Sequence, residues 1–255
     1  MDVEIAANPY MPGSGIMPRS LAGRDDELAL FDALPLRAKQ GLPSRGIVLT
    51  GLRGVGKTVL LESFRLRADD ASWLTCSIEG SPGGGERQGV RRRFAADLLS
   101  SARKLGRGRT NPLKQALGSI GSFSMTLGLS GISFGFEALK GRADSGTLDF
   151  DLQDLVEDLA EPLKKHKIGF AVFVDEMQDL DPEFLGALLA AQHKASQRGW
   201  SFYVCGAGLP DLPGRLADVR SYAERLFDYR DVGPLEPMAA RRALTEPVEL
   251  SGVLY

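Results

Sequence analysis

The fold of this chain is decided by the stretch Gly51-Leu52-Arg53-Gly54-Val55-Gly56-Lys57-Thr58. It fits the phosphate-binding pattern G-x-x-x-x-G-K-S/T, the P-loop. The short apolar run at residues 46–50 before it is typical of a buried strand, and residues 59–66 after it are typical of a helix. Because this motif requires a strand, a glycine loop and a helix in that order, we expect the chain to bind a nucleoside triphosphate.

The residue types of the motif suit phosphate binding. Glycines let the backbone curl around a phosphate with its N–H groups pointing inward, and the helix N-terminus adds free donors and a partial positive charge. In such a loop the lysine, here Lys57, reaches the β- and γ-phosphates, and the hydroxyl of Thr58 binds Mg²⁺. The predicted nucleotide-binding residues of the loop are Gly51, Leu52, Arg53, Gly54, Val55, Gly56, Lys57, Thr58 and Val59.

The composition is that of an ordinary globular protein. Of the 255 residues, 43% are apolar and 25% are charged, and the net charge of −2 gives no overall attraction to nucleic acid or to a membrane. Cys76 and Cys205 each stand in an apolar, strand-like run, which is typical of buried thiols in a cytosolic protein. The sequence shows no secretory signal and no membrane-spanning run, so we predict a cytoplasmic protein. Arginine outnumbers lysine by more than two to one, which favours a GC-rich bacterial genome.

Strands and helices alternate along the chain. The predicted strands are 46–50, 72–78, 168–174, 201–205 and 227–232, and the predicted helices are 23–34, 59–66, 90–105, 151–165, 182–197 and 215–226. Asp181 followed by Pro182 is a good start for the helix at 182–197. This order predicts an α/β fold, a three-layer αβα sandwich around a five-stranded, mostly parallel sheet.

Two segments of the chain have two interpretations each. Residues 120–136 alternate apolar and small residues around Ser130-Gly131, which predicts an inserted β-hairpin, either a partner-facing or DNA-facing device or a cover for the core. The helix at 90–105 carries a basic cluster that either contacts DNA or is a solvated helix face. The cluster consists of Arg91, Arg92, Arg93, Arg103 and Lys104.

A second chemical motif ends the third predicted strand. Asp175 and Glu176 follow a buried apolar run, which is the Walker B pattern of P-loop ATPases. Because ligands bind beyond the carboxyl ends of parallel strands, Asp175 and the P-loop should meet at one sheet edge. We therefore predict that Thr58 and Asp175 hold Mg²⁺ and that Glu176 is the general base for an attacking water.

Taken together, these motifs resemble the AAA+ ATPases, above all the branch of replication-initiator (origin-recognition) ATPases and the STAND signalling ATPases. The resemblance covers residues 20–245. It rests on residues 21–28, the P-loop, residues 173–180, residues 206–210 and residues 222–227. It implies bound ATP or ADP with Mg²⁺ as the cofactor.

The resemblance also implies roles for residues outside the two motifs. Gly23 and Arg24 would lie near the adenine. Arg225 would be an arginine finger that reaches the γ-phosphate of a neighbouring copy, so self-association is implied, with Arg215 and Arg220 as lesser candidates. Catalysis would then involve Glu176, Lys57 and Arg225.

The chain departs from this family in two places. The fourth strand of AAA+ proteins ends in a polar sensor residue, whereas Cys205-Gly206-Ala207-Gly208 offers no strong hydrogen-bonding side chain. Only the start of the helical lid follows the core, so we expect a truncated lid. The expected divisions are a strap and short helix at 1–45, an ATPase core at 46–232 with an insertion at about 106–150, and the lid start at 233–255.

Two functions fit the sequence. The first is an ATPase module that hydrolyses ATP to drive assembly or remodelling, with DNA as a candidate partner. The second is a slow-turnover signalling switch whose effector domain lies outside this chain. A small-molecule kinase is disfavoured because kinases rarely need a paired Asp-Glu after a buried strand, and a GTPase is disfavoured because no Asn-Lys-x-Asp segment is present. We expect no membrane partner.

Overall fold

A computed structural model describes residues 8–10, 13, 15–81, 87–106, 118–127, 143 and 145–251 of the chain. Its strands are β1 (Gly46–Thr50), β2 (Leu74–Glu79), β3 (Phe170–Asp175), β4 (Phe202–Gly208) and β5 (Phe227–Asp231). Its helices are α1 (Asp25–Lys39), α2 (Lys57–Asp70), α3 (Arg87–Gly106), α4 (Gly118–Thr126), α5 (Leu148–Lys165), α6 (Pro182–Arg198), α7 (Leu212–Val219) and α8 (Pro237–Glu249). Two 3₁₀ turns, Met177–Asp179 and Ala223–Arg225, complete these elements.

The five strands form one sheet in the order β2-β3-β4-β1-β5. All four neighbouring pairs are parallel. The carboxyl ends of the strands therefore share one edge of the sheet, as the sequence predicted. Because β4 lies between β1 and β3, its last residues separate the P-loop from Asp175.

Both faces of the sheet are covered, which confirms the three-layer prediction. Every residue of β1 and β4 is buried, and such strands are near-continuous apolar runs because no face meets water. Alternate residues point to opposite layers: Val48 packs in the cluster formed with α3, α4, α5, α6 and α7, while Ile47 and Leu49 pack in the cluster formed with α1 and α2. None of the helices in the described ranges is long and apolar enough to cross a membrane.

The prediction of a β-hairpin at 120–136 is wrong over its first part. Residues 118–126 form the helix α4, residue 127 is a turn, and residues 128–136 of the predicted hairpin lie outside the described residues. Ile120 and Phe123, three residues apart, are both fully buried, and the Phe123 ring packs edge-on against Phe94 of α3 with 6.1 Å between the centroids. The alternation of small and large residues suits a helix here because the small ones lie buried against neighbouring helices, so tertiary packing overrides the local pattern.

Several predicted boundaries also differ. The helix predicted at 23–34 begins at Asp25 and continues through Pro35 to Lys39. The helix predicted at 215–226 is instead α7 followed by the 3₁₀ turn Ala223–Arg225. The break falls at Arg220, whose backbone is extended and whose guanidinium reaches Asp149 at 3.1 Å. The break therefore coincides with a contact between residues that stand 71 positions apart in sequence.

The predicted start of α6 is confirmed in detail. The Asp181 carboxylate accepts a hydrogen bond from the Phe184 backbone N–H at 3.0 Å, and Pro182 is the first helical residue. The same carboxylate is buried and pairs with the guanidinium of Arg91 at 2.7 Å. Arg91 of the basic cluster therefore forms its ion pair within the chain.

Replacing Asp181 with alanine is expected to destabilise the protein. The change removes an N-cap bond and leaves the half-buried Arg91 without its main partner, so we expect a loss of about 2 kcal/mol in the free energy of unfolding. Urea denaturation measures this loss. Asp211→Ala is the matched control, because Asp211 also precedes a helix but makes no capping bond and only a surface ion pair with Arg215. Equal losses in the two variants would contradict the assignment.

The two cysteines are buried, free thiols, as the sequence predicted. Cys76 lies in β2 and Cys205 in β4. Burial raises the pKa of Cys205 to about 12 and raises that of Cys76 well above its usual value, with the nearby Asp97 carboxylate adding to the second shift.

We expect neither thiol to react with an aromatic disulfide reagent in the folded protein at about pH 8. The reactive species is the thiolate, and a raised pKa keeps a thiol neutral until the pH approaches that pKa. Both thiols should react at once after unfolding in about 6 M guanidinium. Absorbance of the released thiolate measures both states, and rapid release from the folded protein would contradict the prediction.

Candidate nucleotide-binding site

The P-loop connects β1 to α2 at the carboxyl edge of the sheet. Gly51 follows β1, and a Cβ atom there would lie 2.3 Å from the carbonyl oxygen of Val232, so only glycine fits. Gly56 caps α2 with a left-handed backbone at φ 96°, a conformation that L side chains rarely adopt. These two glycines give the loop its path around the start of α2, as the motif requires.

Lys57, the first residue of α2, is buried within the loop. Its ammonium group donates to the carbonyl oxygens of Gly51 at 3.0 Å and Leu52 at 2.9 Å. Both acceptors belong to the P-loop, so the positive charge is held against the loop that would surround a phosphate.

The two predicted magnesium ligands line one cavity. Thr58 and Asp175 both border an open cavity of about 380 Å³ at the carboxyl edge of the sheet. The Asp175 carboxylate also accepts the backbone N–H of Glu176 at 2.9 Å, which orients it. A hydroxyl and a carboxylate are hard oxygen donors of the kind that Mg²⁺ prefers, so the donor chemistry of the cavity fits this ion.

The same cavity is bordered by residues that the sequence had not assigned to the site. Among them are Gly15, Ser77, Glu79 and Arg93, the last of which belongs to the basic cluster. Glu79 ends β2 and pairs in register with Asp175 on β3. The strand order, which local patterns do not reveal, is what brings Glu79 beside the predicted metal ligand.

Glu176 stands directly after Asp175 with an unusual backbone. Its φ of 44° and ψ of 48° are left-handed, which costs a non-glycine residue about 1–3 kcal/mol and persists where the surroundings impose it. Its carboxylate accepts a hydrogen bond from the side-chain amide of Gln178. Gln178 is a further residue that sequence reasoning missed, although it stands only two positions after the predicted base.

Arg24 contacts the P-loop, and its neighbour Gly23 packs against α8. The buried Arg24 guanidinium donates to the Val55 carbonyl at 2.9 Å and to the Gly233 carbonyl at 2.7 Å. Gly23 has a left-handed backbone, and a Cβ atom there would lie 2.5 Å from the Cβ of Ala239 in α8. These two residues therefore join the loop to the segment that leads into α8.

The three arginines considered as fingers differ in their partners. Arg215 pairs with Asp211 at 2.7 Å, and Arg220 pairs with Asp149 at 3.1 Å. Arg225 ends a 3₁₀ turn just before β5 and is exposed. Within the described part of the chain, its side chain makes no ion pair.

The fold and the site together define a class of protein. A P-loop between a buried strand and a helix, in a parallel sheet whose β3 ends at Asp175 with Glu176 directly after it, is the arrangement of the P-loop NTPases. The chain belongs to the AAA ATPase domain family, whose model matches residues 20–204. The resemblance to AAA+ ATPases is thereby confirmed.

Solved structures share this fold. Cdc6p from Pyrobaculum aerophilum matches with a TM-score of 0.52 and 16% identity over 93% of this chain and 52% of that one. The Aeropyrum pernix Orc1 protein, in complex with DNA, matches with a TM-score of 0.50 and 16% identity over 95% of this chain and 53% of that one. The chain thus spans about half the length of both structures. No curated protein sequence matches the chain significantly.

Proposed function

We propose that this chain binds ATP with Mg²⁺ and hydrolyses it to ADP and phosphate. The observation that carries the proposal is the cavity that Thr58 of α2 shares with Asp175 of β3. Mg²⁺ is held in such sites by a few protein oxygens together with phosphate oxygens. The family supports an ATPase, and the cavity supports these two residues as the metal ligands.

The P-loop is proposed to hold the phosphates. The backbone N–H groups between Gly51 and Val59 donate to phosphate oxygens, and Lys57 exchanges its two loop carbonyls for the β- and γ-phosphates. When Mg²⁺ is bound it offsets the negative charge of the same oxygens. The contact of Arg24 with Val55 supports a position for Gly23 and Arg24 at the rim of the nucleotide site, near the adenine.

Glu176 is the proposed general base. Its carboxylate accepts a proton from water while the water oxygen attacks the γ-phosphorus. The bond from that phosphorus to the bridging oxygen breaks, and the electron pair leaves on ADP. The left-handed backbone of Glu176 supports this role, because strained conformations cluster at functional sites.

Glu176→Gln is expected to lower kcat by about 100-fold or more while ATP still binds, because general-base catalysis contributes roughly 10²- to 10⁴-fold. The measurements are phosphate release with Mg²⁺ and ATP binding for each protein. Glu161→Gln is the matched control, since Glu161 is exposed on α5 near the opposite edge of the sheet. Full hydrolysis by Glu176→Gln would remove Glu176 as the base.

A slow-turnover switch is the second candidate function. It is favoured by the end of β4, where Gly206, Ala207 and Gly208 offer no polar side chain of their own to orient a water. Single-turnover hydrolysis with enzyme in excess separates the two functions. Retention of intact ATP for hours would favour the switch, and conversion within minutes favours the ATPase.

Arg225 is the proposed arginine finger, which acts on the nucleotide of a second copy. Its exposure supports the proposal, since the other two candidates are engaged in ion pairs of their own chain. A cation that reaches the γ-phosphate from outside stabilises the negative charge that develops during transfer.

Arg225→Ala should lower kcat by about 10³-fold and abolish any rise of specific activity with protein concentration. Mixing Arg225→Ala with Glu176→Gln should restore activity, because mixed pairs join an intact base to an intact finger. Phosphate release from each protein and from the mixture measures this. Arg198→Ala, exposed at the end of α6, is the matched control. A mixture as inactive as its components would contradict a role between copies.

We propose residues 46–232 as the ATPase core and residues 233–255, which include α8, as the start of its lid. The work driven by hydrolysis is proposed to be assembly or remodelling. DNA is a candidate partner because a solved structure with this fold is of Orc1 in complex with DNA. Gel-shift titration with duplex DNA at two salt concentrations, with and without ATP, tests this part separately.

A further inference from the structure

The side chain of Gln178 joins the ends of β3 and β4. It lies in the 3₁₀ turn after β3, and its Nε2 donates to Oε2 of Glu176 at 2.5 Å and to Oδ2 of Asp179 at 3.0 Å. Its Oε1 accepts the backbone N–H of Leu209, just after β4, at 3.3 Å. The reverse amide orientation would turn the carbonyl toward two carboxylates, so these contacts define how the amide points.

β4 ends in glycine at position 208, so no side chain of β4 occupies the space in which the Gln178 amide lies. A Cβ atom on Gly208 would be 2.4 Å from Oε1 of Gln178 and 2.8 Å from Cδ2 of Leu212. Two residues earlier, a Cβ atom on Gly206 would come equally close to Sδ of Met177. The glycines of β4 therefore leave room for the turn after β3, and the polar group at this strand end comes from Gln178.

We propose that Gln178 is a positioning residue for ATP hydrolysis, which holds the Glu176 carboxylate toward the attacking water. This inference rests on the proposed function. A free glutamate side chain samples many rotamers, and fixing a catalytic group before reaction removes that entropy from the barrier. The amide engages Oε2 of Glu176, which leaves Oε1 to accept the proton of the water. The bond to Leu209 anchors the amide to the sheet.

Two substitutions of Gln178 distinguish its hydrogen bond to Glu176 from its hydrogen bond to Leu209. Gln178→Met has similar length and removes all three hydrogen bonds. Gln178→Glu retains an acceptor for the Leu209 N–H but adds a third carboxylate to those of Glu176 and Asp179. We expect Gln178→Met to lower kcat by about 10- to 100-fold with ATP affinity within about threefold of the parent. Gln197→Met, the same change at an exposed position of α6, is the matched control.

The split between kcat and ATP affinity gives a readout that a purely structural role would not move. A positioning residue acts on kcat, whereas a residue that only supports the fold also changes ATP affinity and melting temperature. Gln178→Glu keeps the acceptor for the Leu209 N–H, so it should lower kcat while ATP affinity and melting temperature stay close to those of the parent. The control variant should keep all three parent values.

A double-mutant cycle tests the place of Gly208. Gly208→Ala in the parent should lower kcat about as much as Gln178→Met, because the new methyl group displaces the amide. In a Gln178→Ala background the same change should cost several-fold less, since only the contact with Leu212 remains. Additive effects would contradict the link between the two residues.

The outcomes distinguish this inference from the function on which it rests. If Glu176→Gln is inactive while Gln178→Met turns over like the parent, the inference is wrong and the ATPase stands. The inference is also overturned if Gln178→Met loses ATP affinity and melting temperature along with kcat, because that pattern indicates a structural role. If the parent protein itself releases no phosphate in single-turnover conditions, the proposed ATPase function is wrong, and the role of Gln178 in hydrolysis is wrong as well.

Discussion

Parallel pairing of β1, β4 and β3, in that spatial order, is the constraint on which the rest of the molecule depends. Because the three strands run in one direction, the P-loop after β1 and the carboxylates after β3 emerge at the same edge. The strands can pair this way only when helices cover both faces, and all residues of β1 and β4 are buried. The site is thus a consequence of how the core is packed.

β4, the strand between the P-loop and Asp175, contributes to the site by having no side chains at Gly206 and Gly208. Gly206 and Gly208 let Met177 and Gln178 approach the backbone of β4 at distances that a Cβ atom would forbid. Gly51 makes a similar close approach to Val232, beside β5. At each of these positions a larger residue would force the neighbouring element to move away.

The contacts of Arg24 connect the P-loop to the region proposed as the lid. One guanidinium bridges a loop carbonyl at Val55 and a carbonyl at Gly233, ahead of α8. Hydrogen bonds from a charged donor are stronger than those between neutral groups. The Arg24 guanidinium therefore ties the P-loop to the segment that leads into α8.

Local sequence was sufficient to predict the P-loop, the αβα layers, the acidic pair after β3, the N-cap of α6 and the buried thiols. Each depends on residues within one turn or one strand, where short-range sterics and hydrophobic periodicity decide the outcome. Contacts between distant segments were needed to establish that residues 118–126 are helical and that Gln178 joins Glu176 to the end of β4. The physical reason is that α4 is packed between helices from other parts of the chain, and the link from Gln178 to Leu209 requires β3 and β4 to lie side by side, which local patterns do not encode.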